Sequence, residues 1–364
     1  VWIMAYTTID KPSDYFNTIT YTGDNTDRSF TGVGFQPDWV WVKARNNTTW
    51  HMLFDAVRGA GVEKELHANS TQAEGASDNV QYGYINSFDT DGFSTIDGTH
   101  SSDALNESAR TYVAWNWLAS NTTASNTNGT ITSTVSANTT AGFSIVSYTG
   151  NGTLGATVGH GLGSVPSMIL VKRRNTTGNW WTYHSGLGGA NKYIVLNSTS
   201  AVGTSTNIWN NTAPTSTVFS LGDNSSYPEV NGTSNTFIAY CFAEKKGYSK
   251  IGSYTGNGST DGTFIYTGFK PSWVLLTASS IGTEHWWIYD NKRSESNVTN
   301  DGIVASLNNT EYTDNATFKI DMLSNGFKPR NSDGSHNGSG TSYIYMAFAE
   351  HPFVSSTGTP VTAR

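Results

Sequence analysis

Apolar residues in this chain come in short runs, set between stretches of Asn, Ser, Thr and Gly. Three runs open just after a proline: Pro37-Asp38-Trp39-Val40-Trp41-Val42-Lys43, Pro166-Ser167-Met168-Ile169-Leu170-Val171-Lys172 and Pro271-Ser272-Trp273-Val274-Leu275-Leu276. A proline at the first residue of a strand forfeits no ladder hydrogen bond, so each run reads as a strand with its proline at the start. An alternating stretch ends 18 or 19 residues after each proline: Met52-Leu53-Phe54-Asp55, Trp181-Thr182-Tyr183-His184 and Trp287-Ile288-Tyr289-Asp290. Side chains two apart share a strand face, so Met52 with Phe54, Trp181 with Tyr183 and Trp287 with Tyr289 are assigned to the core. No segment holds a 3.6-residue apolar period over three turns, which leaves no long amphipathic helix.

Two further landmarks complete a repeat. Upstream of each proline stands Tyr21-Thr22-Gly23-Asp24-Asn25, Tyr148-Thr149-Gly150-Asn151-Gly152 or Tyr254-Thr255-Gly256-Asn257-Gly258. Downstream stands an aromatic strand: Tyr112-Val113-Ala114-Trp115-Asn116-Trp117, Phe237-Ile238-Ala239-Tyr240-Cys241-Phe242 or Tyr343-Ile344-Tyr345-Met346-Ala347-Phe348. Proline and last aromatic lie 80, 76 and 77 positions apart in the three sets. Four landmarks in one order at matched spacing make three diverged copies of one module.

Turn signals such as Asp91-Gly92, Asn151-Gly152, Asn257-Gly258, Asn325-Gly326 and Asp333-Gly334 punctuate each copy. Short strands and frequent turns predict an all-β chain of three tandem β-sandwich repeats, of jelly-roll or concanavalin-like type. The boundaries read as repeat 1 over 1–119, an Asn/Thr/Ser-rich linker over 120–140, repeat 2 over 141–246 and repeat 3 over 247–364. The linker buries little apolar surface and serves as a spacer or an exposed strand pair. The join near Lys245-Lys246-Gly247 is short, which puts repeats 2 and 3 in firm contact.

Composition sharpens the picture. Charged residues are 13% of the 364 and aromatics another 13%, a balance that suits pleated, half-buried surfaces and opposes disorder. The net charge of −7 argues against a nucleic-acid backbone or an anionic membrane as partner. No apolar run approaches the ~18 residues of a bilayer span, so no membrane insertion is expected. Val1 to Tyr15 shows no signal peptide, and Met4 reads as the natural start. Cys241 alone cannot form an intrachain disulfide and reads as a buried, inert thiol.

Catalytic signatures are missing: no Gly-x-Ser-x-Gly elbow, no His-Glu-x-x-His helix and no phosphate-binding loop occurs. Asp55 and Asp290 could suggest a glycosidase carboxylate pair, but the same position is His184 in the second copy, which favours a structural role. Asp89-Thr90-Asp91-Gly92 opens like a calcium loop without the later ligands, and reads as a turn. The eight histidines show no metal-ligand spacing. The expectation is a non-enzyme with no catalytic residues, metal or cofactor. Asn-x-Ser/Thr triplets, at Asn47, Asn175 and Asn297 among others, follow from composition.

For binding, the alternating stretches offer Trp180 and Trp286, with His51 at the matching position of the first copy. These face away from the module core. Flat rings beside amides and hydroxyls suit sugars, so the three are candidate glycan-stacking residues. The competing reading covers this second face with another module or subunit.

The phrases "ITYTGDNTDRSFTGVGFQPDWVWVK", "TAGFSIVSYTGNGT" and "FIAYCFAEKKGYSKIGSYTGNGSTDGTFIYTGFKPSWV", with the closing "YMAFAEHPFVSSTGTPVTAR", resemble a family of uncharacterised virion-associated proteins of marine tailed phages. The resemblance runs over essentially the whole chain. It implies a surface position on a virion, as a tail-fibre or host-receptor-binding component or as a capsid decoration protein. It also implies other virion proteins as partners, and transfers no site residues. Exposed aromatic faces would be covered by homo-oligomerisation, with a trimer favoured, and a host surface glycan is a further candidate partner. A secreted carbohydrate-binding protein is the alternative from another class.

Overall fold

The computed structural model describes residues 6–76, 79–100, 104–222 and 229–360; Met4 lies outside them. The chain is all-β, with antiparallel ladders in three large sheets and three small ones. The large sheets share one strand order. In the first copy it is Phe16–Thr22, Thr111–Trp117, Trp39–Ala44, Met52–Asp55, Leu66–His67. In the second it is Phe143–Thr149, Thr236–Phe242, Met168–Arg173, Trp180–His184, Lys192–Val195. In the third it is Ser249–Thr255, Ser342–Pro352, Phe269–Ala278, Trp287–Asp290, Ile303–Val304. Register repeats with order: Trp39 opposes Asp55, Met168 opposes His184 and Trp273 opposes Asp290.

Residues 120–140, expected as a spacer or an exposed strand pair that buries little apolar surface, join the second sheet instead, with Ile131 and Val135 in its core. Ala124–Asn126 and Ser133–Asn138 extend the second sheet beyond Phe143–Thr149. Pro37 and Pro166 stand two residues ahead of their strands, whereas Pro271 lies inside Phe269–Ala278 at a break in register. A bulge tolerates the missing N–H there as a strand start does elsewhere.

One face of each large sheet packs on a small sheet. Val40, Val42, Met52 and Phe54 meet Phe30, Ile85 and Phe93. Ile169, Val171 and Tyr183 meet Val158 and Phe219, with Trp181 partly buried beside them. Val274, Leu276, Trp287 and Tyr289 meet Ile265, Ile320 and Phe327. The assignment of the alternating pairs to this face therefore holds.

The opposite faces are buried as well. Trp39, Trp41, Trp115 and Trp117 of the first copy join Met168, Leu170, Tyr240 and Phe242 of the second. Trp273, Leu275, Met346 and Phe348 of the third complete one continuous cluster. Three sheets thus share a central core, and burial on both faces is why their strands read as unbroken apolar runs. The chain ends help close the set: Asp10 accepts a 2.6 Å hydrogen bond from the Ser356 backbone N–H, and the Tyr6 hydroxyl donates to Gly268 O at 2.8 Å.

The Tyr-Thr-Gly phrase has a packing cause. The hydroxyls of Tyr21, Tyr148 and Tyr254 donate to the carbonyls of Leu105, Val230 and His336 at 2.7, 2.8 and 2.7 Å. A Cβ on Gly23, Gly150 or Gly256 would stand 2.1 to 2.4 Å from the carbonyl oxygens of Glu107, Gly232 and Gly338. The next link is a buried asparagine, Asn106, Asn231 or Asn337, whose side-chain amide donates to Thr26 O, Thr153 O or Ser259 O. Each copy pins its loop to the closing strand by this clip.

Candidate functional site

The three copies meet along three seams, and each seam repeats the same contacts in one rotational sense. The residue at or just ahead of the start of the fourth strand in each order reaches the neighbouring copy's fifth. Trp180 Nε1 donates to His67 O at 2.7 Å, Trp286 Nε1 to Val195 O at 3.1 Å and His51 Nε2 to Val304 O at 3.0 Å. Copy two therefore holds copy one, three holds two, and one holds three. Backbone bonds close a parallel ring: Glu74 N to Arg174 O, Val202 N to Ser279 O and Glu311 N to Arg45 O, at 2.8, 2.8 and 2.7 Å. Such one-directional contacts close after three steps, so the chain has the geometry of a trimer built from one polypeptide.

This arrangement corrects the reading of Trp180, Trp286 and His51 as glycan-stacking residues. Their exposures are 0%, 1% and 0%, and each spends its ring N–H on a neighbouring copy. Alternation along a strand distinguishes two faces but does not say which is wet. The face taken as open is covered by another copy.

Charge is buried at two of the seams. Asp55 accepts from Arg58 N at 2.9 Å and pairs with its guanidinium, while Tyr240 of the second copy donates to Asp55 at 2.7 Å. Arg58 continues to Glu74, which pairs with Arg174 of the second copy at 2.6 Å. The seam between copies one and three repeats this design: Trp115 Nε1 donates to Asp290 at 2.9 Å, Asp290 pairs with Arg293 at 2.6 Å, Arg293 with Glu311 at 2.6 Å and Glu311 with Arg45 at 2.8 Å. Asp55 and Asp290 are thus fully buried bridges, not an open carboxylate pair.

The matching buried positions of the third seam are neutral, with Lys250 and Glu244 paired at 2.7 Å nearer its surface. Here the aspartate is His184, the arginine Leu187, the glutamate Val202 and the outer arginine Ser279. The position of Tyr240 and Trp115 is Met346, which has no donor. The direction of the bond reverses to suit: His184 Nε2 donates to Tyr345 O at 3.1 Å and its Nδ1 accepts from Gly186 N at 3.0 Å. The departure of His184 from the aspartate pattern is therefore matched by Met346 across the seam.

Buried bases line the same core. Lys43 and Lys172 are wholly buried and donate to carbonyls, Ala44 O at 2.6 Å and Gly178 O at 2.5 Å; burial pushes both ammonium groups down to about 7. No face of either amine is open to a substrate. Burial also lowers His184 and His67 to about 4, and His51 well below its ordinary value, with Lys43 adding to the effect on His51. His51 Nδ1 accepts from Trp41 Nε1 at 2.8 Å, so a proton there would meet another donor.

Acid lability follows from these histidines. A folded-state value below the unfolded one contributes stability that is complete above about 6.5 and lost as pH falls through the folded value. For His184 the loss between pH 7 and pH 4 is on the order of 3 kcal/mol. Asp38 acts oppositely: burial raises it to about 6, so its contribution is regained as pH falls toward 3.8 and offsets part of the loss. Urea unfolding at pH 7 and pH 4.5 is expected to show a clearly lower midpoint at pH 4.5, and His184→Gln should narrow the difference, with His51 and His67 supplying the remainder.

Asp89-Thr90-Asp91-Gly92 is a two-residue hairpin turn joining Tyr84–Asp89 to Gly92–Ile96. Asp91 accepts from the N–H groups of Gly32 and Gly34 at 3.0 and 2.6 Å, which holds its carboxyl below the usual range. Among the described residues no group of three or more His, Cys, Asp or Glu is placed to hold a metal ion, and no helix is long and apolar enough to cross a membrane. Cys241 is buried, and burial pushes its thiol far up. Two open polar clefts, of about 330 and 250 Å³, flank the Lys270–Glu350 ion pair and share Asn291 as a wall.

The residues that sequence reasoning missed are Arg58, Glu74, Arg174, Arg293 and Glu311, together with the clip asparagines. The arginines carried a signal, since Asp55-x-x-Arg58 and Asp290-x-x-Arg293 recur at matching places.

The profile of one family, described as a domain of unknown function (DUF7483), matches residues 11–352. That span runs across all three strand sets, so the family unit is the closed set and not one copy. No curated protein and no solved structure matches the chain.

Proposed function

The chain belongs to that family, and we propose that it is a non-enzymatic structural or adhesive protein on the surface of a bacteriophage particle. Each copy is read as a two-sheet β-sandwich of jelly-roll or concanavalin-like type. The observation that carries the reading is where the buried chemistry is used. Asp55, Asp290, His51, His184, Lys43 and Lys172 are among the buried groups an enzyme could draw on. All of them are closed off from solvent and bonded to backbone, arginine or a neighbouring copy. The fold spends these groups on holding three sheets together, as a protein selected for mechanical and proteolytic endurance would. The resemblance of its phrases to virion-associated phage proteins supplies the setting.

A tail-fibre or receptor-binding component is the first placement within this class. A specific observation favours capsid decoration as the second. A chain that closes its own threefold set presents pseudo-threefold symmetry as a monomer and can cap a symmetric lattice position. The expectation of a homo-oligomer rested on symmetric virion positions and on aromatic faces that needed covering; the faces at Trp180 and Trp286 are covered within one chain, and the symmetric positions remain as its ground.

Immunogold labelling of gradient-purified particles tests the proposal. Label at regular positions on tail or capsid is expected, at fixed copy number for a decoration protein. Particles without label, or purified protein that hydrolyses a polysaccharide, would overturn it.

A further inference from the structure

The seam between copies one and three carries a feature that the other two lack. Position 50 in the first copy is Trp; the matching residues are Asn179, which accepts from Asn197, and His285, whose Nδ1 pairs with Ser306 Oγ. Trp50 stacks on the His67 imidazole at 4.8 Å and 27°, and Tyr82 meets it edge-on at 5.7 Å and 74°. His67 is itself fixed, because it is buried and its carbonyl receives Trp180 from the second copy. The indole is therefore clamped in orientation by two copies while it remains partly exposed.

Trp50 lines a surface cleft of about 190 Å³ with Thr48, Thr49, Tyr82, Ala104 and, from the third copy, Asn308. Among the described residues the lining offers the Trp50 plane with the Tyr82 ring beside it, hydroxyls on Thr48, Thr49 and Tyr82, a side-chain amide on Asn308, and no charged group. That set discriminates among ligands. A flat ring beside hydroxyl and amide groups matches a pyranose, which shows an apolar C–H face and a rim of hydroxyls. A nucleotide would bring phosphate, for which no described residue of the lining supplies a cation. The volume is below the roughly 300–1,000 Å³ of pockets that enclose a drug-sized ligand, so one ring fits and the rest of an oligosaccharide stays outside.

We propose that the Trp50 cleft binds one neutral pyranose unit of a surface glycan, a reading that rests on the adhesive role proposed above. Trp50 supplies the stacking plane, Asn308 and Thr48 bond ring hydroxyls, and the site exists only when copies one and three are joined.

The full chain is applied to an array of neutral hexose-terminated glycans, with methyl α-glucoside, methyl α-mannoside and methyl β-galactoside as soluble competitors. Binding to a subset is expected, competed by one of the three. Trp50→Ala should lower apparent affinity at least tenfold and Asn308→Ala several-fold. Asn308 is exposed, so its variant keeps the fold even if Trp50→Ala loosens the loop. No retention of the wild-type chain on any neutral glycan, or wild-type binding by both variants, overturns the proposal. Particle labelling separates this from the parent reading: labelled particles without glycan binding remove the cleft site alone, and glycan binding by a chain absent from particles removes the virion role alone.

Discussion

Arg58→Met is expected to destabilise the chain by about 3–5 kcal/mol, the usual loss when one partner of a buried ion pair is removed. Among the described residues of the first copy the guanidinium is the one cation placed against Asp55, and it also bonds Leu53 O and Glu74. Without it, two carboxylates stay in a site where Asp55 is 0% exposed, and Tyr240 and Arg174 from the second copy cannot neutralise both. The third seam shows how the same position is built without charge. Converting the quartet together, as Asp55→His, Arg58→Leu, Glu74→Val and Arg174→Ser with Tyr240→Met, is therefore expected to cost far less than Arg58→Met alone. Buried pairs replaced as a set by well-packed neutral residues are often near neutral. Urea midpoints of the two variants decide it. A single variant within 1 kcal/mol of wild type would mean that the network is not closed to water.

Trp180→Ala carries the second large effect, about 3–5 kcal/mol for a large-to-small change in a packed core. The indole is fully buried, stacks on Tyr240 at 6.1 Å and donates to His67 O in the first copy. Its removal leaves both a cavity and an unpaired carbonyl. Because that carbonyl belongs to another copy, the loss reaches beyond the second sheet, and the clamp under Trp50 loosens with it. A ligand platform on the surface would behave otherwise, with its truncation abolishing binding while the unfolding midpoint stayed put. Equilibrium unfolding followed by far-ultraviolet circular dichroism distinguishes the two.

Much of the fold was legible because its landmarks obey local rules. Proline before a strand, alternation at Met52-Phe54 and its two counterparts, and glycine at a crowded turn each have a cause within one copy. The all-β class and the strand recurrence follow from those. The seams were not legible, since they depend on which residue of one copy meets which residue of another, 91 positions away for Trp286 and Val195 and 266 for Arg45 and Glu311. Trp180 and Trp286 sit on the second face of their strands whether that face is wet or dry, and only the neighbouring sheet decides. His184 was visible as a departure from the aspartates, yet its reason lies at Met346 and Tyr345 in a different copy. Asn106, Asn231 and Asn337 were hidden by composition, because one buried asparagine does not stand out in a chain filled with exposed ones. Pro271 shows a local limit: the residue type predicts tolerance of a lost N–H, and a bulge satisfies that as well as a strand start does.

Native-state hydrogen exchange on the wild type and on Trp180→Ala tests the shared core most directly. If the three sheets open as one unit, the slowest amides of Trp39–Ala44, Met168–Arg173 and Phe269–Ala278 exchange with one common free energy, and the substitution in the second copy lowers all three by the same amount. Protection that falls only in Met168–Arg173, with the other two strands unchanged, would mean three independent modules and would contradict the account.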